Sequence, residues 1–72
     1  MAVLKVIELV GTSPNSWEEA TENAVNKAAE TVRHIVGADV VGQNVVVEDG
    51  AITEYRVDVK VAFLVEGTMD VG

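Results

Sequence analysis

The segment that most limits the fold is the strict alternation in the last third of the chain. Residues 52–66 carry a large apolar side chain at every second position, and the positions between them start with Arg56, Asp58 and Lys60. The apolar set is Tyr55, Val57, Val59, Val61, Phe63 and Val65. A period of two is typical of a β-strand with one buried face. Such a strand needs partner strands and a cover, which the rest of the chain has to supply.

Two further segments have the composition of strands. Residues 2–10 are rich in Val, Ile and Leu, and residues 38–48 are rich in Val, with Gly42 as a predicted bulge. Asp49-Gly50 separates the second of these segments from the last strand. Because Asp-Gly favours the tight turn of a β-hairpin, the last two strands are predicted to pair directly.

A helix is predicted between the first two strands. Ser16 and Glu19 have the spacing of a capping box, and the apolar positions over residues 17–36 recur at intervals of three and four. These positions form one stripe: Ala20, Ala24, Val25, Ala28, Val32 and Ile35. Gly37 is predicted to end the helix as its C-cap, which places His34, the only histidine, in the last helical turn.

The predicted order is β-α-β-β, an α+β fold with a three-stranded antiparallel sheet and one helix, in a single domain over residues 1–72. We expect Trp17, in the first helical turn, to fasten the helix to the sheet or to pack against a neighbouring subunit. A chain of this length is marginally stable alone, and the absence of cysteine excludes disulfides. Nearly half of the residues are apolar, so self-association is the favoured source of further stability.

The net charge of −7, from 12 acidic and 5 basic residues, restricts the partners. Phosphate backbones and anionic membranes attract basic surfaces, so neither nucleic acid nor a membrane is an expected partner. The first ten residues alternate and form no uninterrupted apolar run, so we expect a cytoplasmic protein without a signal peptide. We also expect no enzyme, because no nucleophile lies beside a base in the sequence.

Four carboxylates cluster around the predicted hairpin: Glu48, Asp49, Glu54 and Asp58. Carboxylate oxygens are the preferred ligands of Ca²⁺ and Mg²⁺, which makes these residues candidate metal ligands. The alternative is a solvated acidic hairpin with no ligand. Rotational symmetry would favour the metal, because one carboxylate per subunit then becomes a ring around an axis.

Three segments, KVIELVGTSPNSWEEA, NAVNKAAETVRHI and YRVDVKVAFLVEG, resemble the dodecins in their order and spacing. The resemblance covers residues 5–66. It implies a sheet wrapped around the helix and twelve subunits that form a hollow shell.

Many dodecins bind flavins in stacked pairs at subunit contacts. The resemblance attributes this to a Trp after the helix, which covers the flavin ring, and a Gln early in the third strand, which hydrogen-bonds the ring edge. The matching positions in this chain are Gly37 and Arg56. Both flavin determinants are therefore absent, and flavin is not an expected cofactor.

A flavin-free branch of the family, calcium dodecin, is more similar. The resemblance lies in VIELVGTSPNSWEEA with its Trp17, in the non-aromatic Gly37, and in Tyr55-Arg56. It implies binding or buffering of divalent cations, Ca²⁺ first, by a homododecamer. The alternatives are riboflavin or FMN storage in a rearranged pocket, and a purely structural assembly without a specific ligand.

Overall fold

A computed structural model describes residues 2–65, so the predicted frayed tail GTMDVG lies outside the described part. Strand β1 spans Leu4–Ser13, helix α1 Trp17–Ala29, strand β2 Ile35–Glu48 and strand β3 Ala51–Leu64. The predicted β-α-β-β order is confirmed. Within residues 2–65, no helix has the length and apolar character needed to cross a bilayer.

The last strand in the sequence is the central strand of the sheet. β3 pairs antiparallel with β1 on one side and with β2 on the other, so β1 and β2 form the two edges. α1 covers β1 and β3, and its small side chains meet the alternating valines of β3. The buried apolar core consists of Ala20, Ala24, Ala28, Val57, Val59 and Val61. The alternation in the sequence therefore identifies the strand with the most complete cover.

Close contact between helix and sheet depends on Gly11. A Cβ at this position would overlap the carbonyl oxygen of Ala20 and lie 2.9 Å from the Cβ of Ala24. Glycine next to the alanine stripe therefore lets the helix backbone rest almost directly on β1.

The local signals for the helix start, the bulge and the hairpin are confirmed. The Ser16 side chain accepts a hydrogen bond of 3.0 Å from the Glu19 backbone N–H, as an N-cap does. The β2–β3 register shifts before Gly42. Asp49 and Gly50 have φ angles of 51° and 78°, the left-handed conformations of a type I′ turn.

The predicted end of the helix is wrong. α1 ends at Ala29, where Glu30 N–H and Thr31 N–H donate to carbonyls three residues back, in a tightened last turn. Four of the next residues, in TVRHIV, are β-branched, and they favour extended backbone. Pairing with β3 starts β2 at Ile35, which still packs against the core but does so from the sheet.

Three assignments change with that boundary. His34 lies beyond the helix and has a φ of 61°, so the left-handed residue of this connection is a histidine. Gly37 lies inside β2 next to a register shift, and it is not a helix C-cap. Val25 is half-buried and lines an open groove with Glu18 and Glu22, so it is outside the buried stripe.

The molecule divides into a covered body and an uncovered arm. We call β1, α1 and residues 55–64 the body, and residues 46–54 the hairpin arm. β1 pairs with β3 only as far as Tyr55, so the hairpin arm consists of β2 and β3 alone and extends beyond the end of β1. The Cα radius of gyration is 14.9 Å, whereas a compact chain of this length has about 11 Å. The chain is therefore elongated, 56 Å in its longest dimension.

Candidate ligand and cation site

The two positions that match the flavin determinants lie far apart. Gly37 pairs with Ala62 of β3, whereas Arg56 belongs to β3 and pairs with Asn44. A strand rises about 3.3 Å per residue, so positions 56 and 62 are about 20 Å apart. One chain therefore cannot bring both positions to one flat ring.

The surroundings of these positions differ as well. A Cβ at Gly37 would meet no atom within 4 Å, so this part of β2 is open. The Arg56 Nε donates to Glu54 Oε2 at 2.8 Å in a partly exposed ion pair. An arginine has donors only, and here one of them already binds a carboxylate.

The four predicted metal ligands do not meet in one chain. Glu48 and Asp49 lie at the tip of the hairpin arm, and Glu54 is paired with Arg56. Asp58 lies four residues further along β3, about 13 Å from Glu54. Among residues 2–65, no group of three or more His, Cys, Asp or Glu side chains could hold a metal ion. That these four residues bind a metal stays a prediction, and it requires carboxylates from several copies of the chain.

A pair of carboxyl groups not predicted from the sequence lies on the sheet face away from the helix. Glu8 of β1 pairs with Lys60, and Asp58 is its diagonal neighbour on β3. The pKa of Glu8 is raised, first by a hydrogen bond with Asp58 and then by the negative charge of Asp58. Asp58 Oδ1 is buried and has no hydrogen-bond partner among residues 2–65. The two carboxyl groups therefore lie close enough for their negative charges to repel, which favours the protonated form of Glu8. Only the β1–β3 register reveals this pair.

The start of the helix holds a second network. Ser13, which is 1% exposed, donates to Glu19 Oε1 at 2.6 Å, and Asn15 Nδ2 donates to the same oxygen at 2.9 Å. These two hydrogen bonds lower the pKa of Glu19. Glu19 therefore joins β1 to the helix and does not complete the reciprocal half of the predicted capping box. The network is structural.

Trp17 joins the helix to the sheet as predicted. Its ring meets the ring of Tyr55 edge to face, with centroids 5.0 Å apart. This contact lies at the boundary between the body and the hairpin arm, because β1 pairing also ends at Tyr55.

A groove of about 310 Å³ lies at the opposite end of the body from the hairpin arm. Its lining comes from the start of β1, the connection after α1 and the end of β3: Lys5, Thr31, Val32, Arg33, Phe63, Leu64 and Val65. Two of the five basic residues of the chain therefore line one largely apolar groove.

Comparison with protein families shows which family the chain belongs to. The family model for Dodecin matches residues 3–66. This chain belongs to the dodecin family. The Mycobacterium tuberculosis protein named calcium dodecin is 41% identical over 63 residues, which cover 88% of this dodecin and 89% of the relative.

Solved dodecin structures have the same fold. A mutant form of Thermus thermophilus dodecin superimposes with a TM-score of 0.89 at 34% identity, covering 94% of this dodecin and all of that chain. The crystal structure of M. tuberculosis calcium dodecin superimposes with a TM-score of 0.78 at 40% identity, covering 92% and 94% of the two chains. That protein is described as calcium-chelating, with a novel calcium-binding site.

Proposed function

We propose that this dodecin is a homododecamer that binds or buffers divalent cations, Ca²⁺ first, and does not store flavin. The observation that carries the proposal is that Gly37 and Arg56 occupy the positions of the flavin-binding Trp and Gln. The chain that carries these replacements is 41% identical to a calcium dodecin. The proposed activity is binding and not catalysis.

The chemistry of the two positions weakens flavin binding. Stacking a flat ring on an aromatic side chain contributes about 1–3 kcal/mol, and Gly37 offers no ring. Its loss alone corresponds to about five- to two-hundredfold weaker binding. Arg56 cannot accept a hydrogen bond from the ring N–H of a flavin, and its pairing with Glu54 occupies part of its donor capacity.

Exposed apolar residues support assembly. None of the 14 residues of β2 is buried, although the strand is rich in valine. The exposed large apolar side chains of the chain include Val3, Leu4, Val6, Val10, Val36, Val40, Val41, Val47 and Ile52. So much exposed apolar surface on a small chain is typical of a contact surface between copies.

Cation binding follows from the assembly of acidic chains. Twelve copies that each carry −7 would attract counter-ions strongly. Ca²⁺ takes six to eight oxygen ligands, and residues 2–65 of one chain do not gather them. We place the site between copies, with Glu48, Asp49, Glu54 and Asp58 as candidate ligands, because symmetry can bring one carboxylate from each copy together.

Calorimetric titration of the chelator-stripped protein with Ca²⁺ tests the proposal. We expect saturable heat with Ca²⁺ that Mg²⁺ at the same ionic strength does not reproduce. The neutral variants Glu48→Gln, Asp49→Asn, Glu54→Gln and Asp58→Asn identify ligands, and Glu22→Gln on the exposed helix face is the matched control. Heat equal to nonspecific screening in the wild type would reject calcium and leave a purely structural assembly.

Riboflavin fluorescence tests the flavin alternative. We expect no saturable quenching by the wild type at micromolar concentrations. The double variant Gly37→Trp/Arg56→Gln should gain quenching, since the space at Gly37 is open. Saturable quenching by the wild type would favour flavin storage instead.

A further inference from the structure

The tip of the hairpin arm is an apolar and acidic surface with no cover. Val47 and Ile52 face each other across the two strands and are 58% and 52% exposed. Glu48 and Asp49 follow directly, and residues 45–55 contain no Lys, Arg or His. A two-stranded hairpin is marginally stable in water, so the hairpin arm needs a further contact.

The groove at the other end of the body has the complementary character. Val32, Phe63 and Leu64 give it an apolar lining, and Lys5 and Arg33 add positive charge in a chain with a net charge of −7. The groove therefore offers apolar contacts for Val47 and Ile52 and positive charge for the acidic residues of the tip.

The hairpin arm of a chain cannot reach the groove of the same chain. The hairpin arm ends at Glu54 and the groove begins at Phe63, and both belong to the continuous strand β3. Nine residues of extended strand separate them by about 30 Å. The complementary surfaces can meet only between two copies.

We propose that the hairpin arm of one copy docks in the groove of a second copy, with Val47 and Ile52 on the apolar lining and Glu48 near Lys5. The inference rests on the self-assembly proposed above and names the surfaces that carry it. The contact is head-to-tail: each copy offers one hairpin arm and one groove, so successive copies close into a ring when the rotation allows it.

A charge exchange between Glu48 and Lys5 tests the contact. Glu48→Lys and Lys5→Glu each place like charges together, and we expect each to weaken assembly about tenfold or more. The double variant restores opposite charges and should recover most of the wild-type assembly. Lys27→Glu, a matched charge reversal on the exposed helix surface, should leave assembly unchanged.

The readout is sedimentation velocity over a dilution series, with chelator and with Ca²⁺, so that loss of a calcium ligand is separated from loss of docking. Assembly of the wild type with no effect of either single variant, or no recovery in the double variant, overturns the docking inference alone. A wild type that is monomeric in both buffers overturns the proposed assembly as well.

The other occupant to test is residues 66–72 of the same chain, since Val65 lines the groove. A chain that ends at Val65 should assemble like the full chain. Loss of assembly on this truncation, with no effect of Glu48→Lys, would assign the groove to residues 66–72 and contradict docking of the hairpin arm.

Discussion

The body and the hairpin arm contain similar residues in different surroundings. Val57, Val59 and Val61 of the body are 0% exposed, whereas Val47 of the hairpin arm is 58% exposed. Both stretches belong to the same β2–β3 hairpin. Their exposure differs because α1 covers the valines of the body and β1 pairs with the strand that carries them, whereas neither reaches the hairpin arm. Apolar patterning thus shows which residues must be covered, but it does not show which chain covers them.

The largest expected effect distinguishes two glycines. Gly11→Ala should destabilise the chain by about 3 kcal/mol, because the new Cβ would overlap the backbone of Ala20, which cannot rotate away. Gly37→Ala, in the exposed strand, should change stability by less than about 0.5 kcal/mol, since nothing lies within 4 Å. Urea unfolding at one protein concentration measures both, and equal losses would mean that the helix does not rest on β1 as described.

A second pair of variants compares the valines directly. Val59→Ala leaves a cavity in the core and should cost about 2 kcal/mol at any protein concentration. Val47→Ala should leave the isolated chain almost unchanged and lower the unfolding midpoint only where copies associate. Unfolding curves at several concentrations separate the two cases. A concentration-independent loss in Val47→Ala would show that the chain itself covers the hairpin arm.

A third pair compares hydroxyl groups. Ser13→Ala removes a buried donor to Glu19 and an acceptor for the Asn15 N–H, and should cost about 1–2 kcal/mol. Thr53→Val removes an exposed hydrogen bond of 3.4 Å in the hairpin arm and should cost less than about 0.5 kcal/mol. Thermal unfolding measures both, and a larger loss in Thr53→Val would reverse the ranking of the two regions.

The smallest expected effect is the pH dependence of the body. Hydrogen bonds from Ser13 and Asn15 lower the pKa of Glu19, so they stabilise the fold above the usual glutamate pKa, and the gain disappears as pH falls through the lowered value. Glu8 has the opposite sign: its raised pKa gives a contribution that is lost as pH rises through that value. The free energy of unfolding, measured from about pH 3 to pH 7, should depend less on pH below the usual glutamate pKa in Glu19→Gln, and less on pH above it in Glu8→Gln. Profiles that match the wild type would contradict both assignments.

Local signals predicted much of the fold. The Ser16 cap, the bulge at Gly42 and the Asp49-Gly50 turn depend on residues close in sequence, and all three are confirmed. The helix end was mispredicted because pairing with β3 outweighed the three-four spacing that continues to Ile35.

The candidate site was less predictable, because its geometry is not local. The pair Glu8 and Asp58 depends on the β1–β3 register, which joins positions fifty residues apart. The separation of Gly37 from Arg56 likewise depends on the β2–β3 register. Contacts between copies depend on surfaces that periodicity within one chain does not specify.

Hydrogen–deuterium exchange over the hairpin arm shows whether a second copy covers it. In the assembled wild type, amides of residues 46–54 should be protected to a degree that approaches the body, and dilution or Glu48→Lys should remove that protection while the body keeps its own. Exchange in the hairpin arm that is fast in the assembled protein, or equally slow after dissociation, would contradict an arm that a second copy covers.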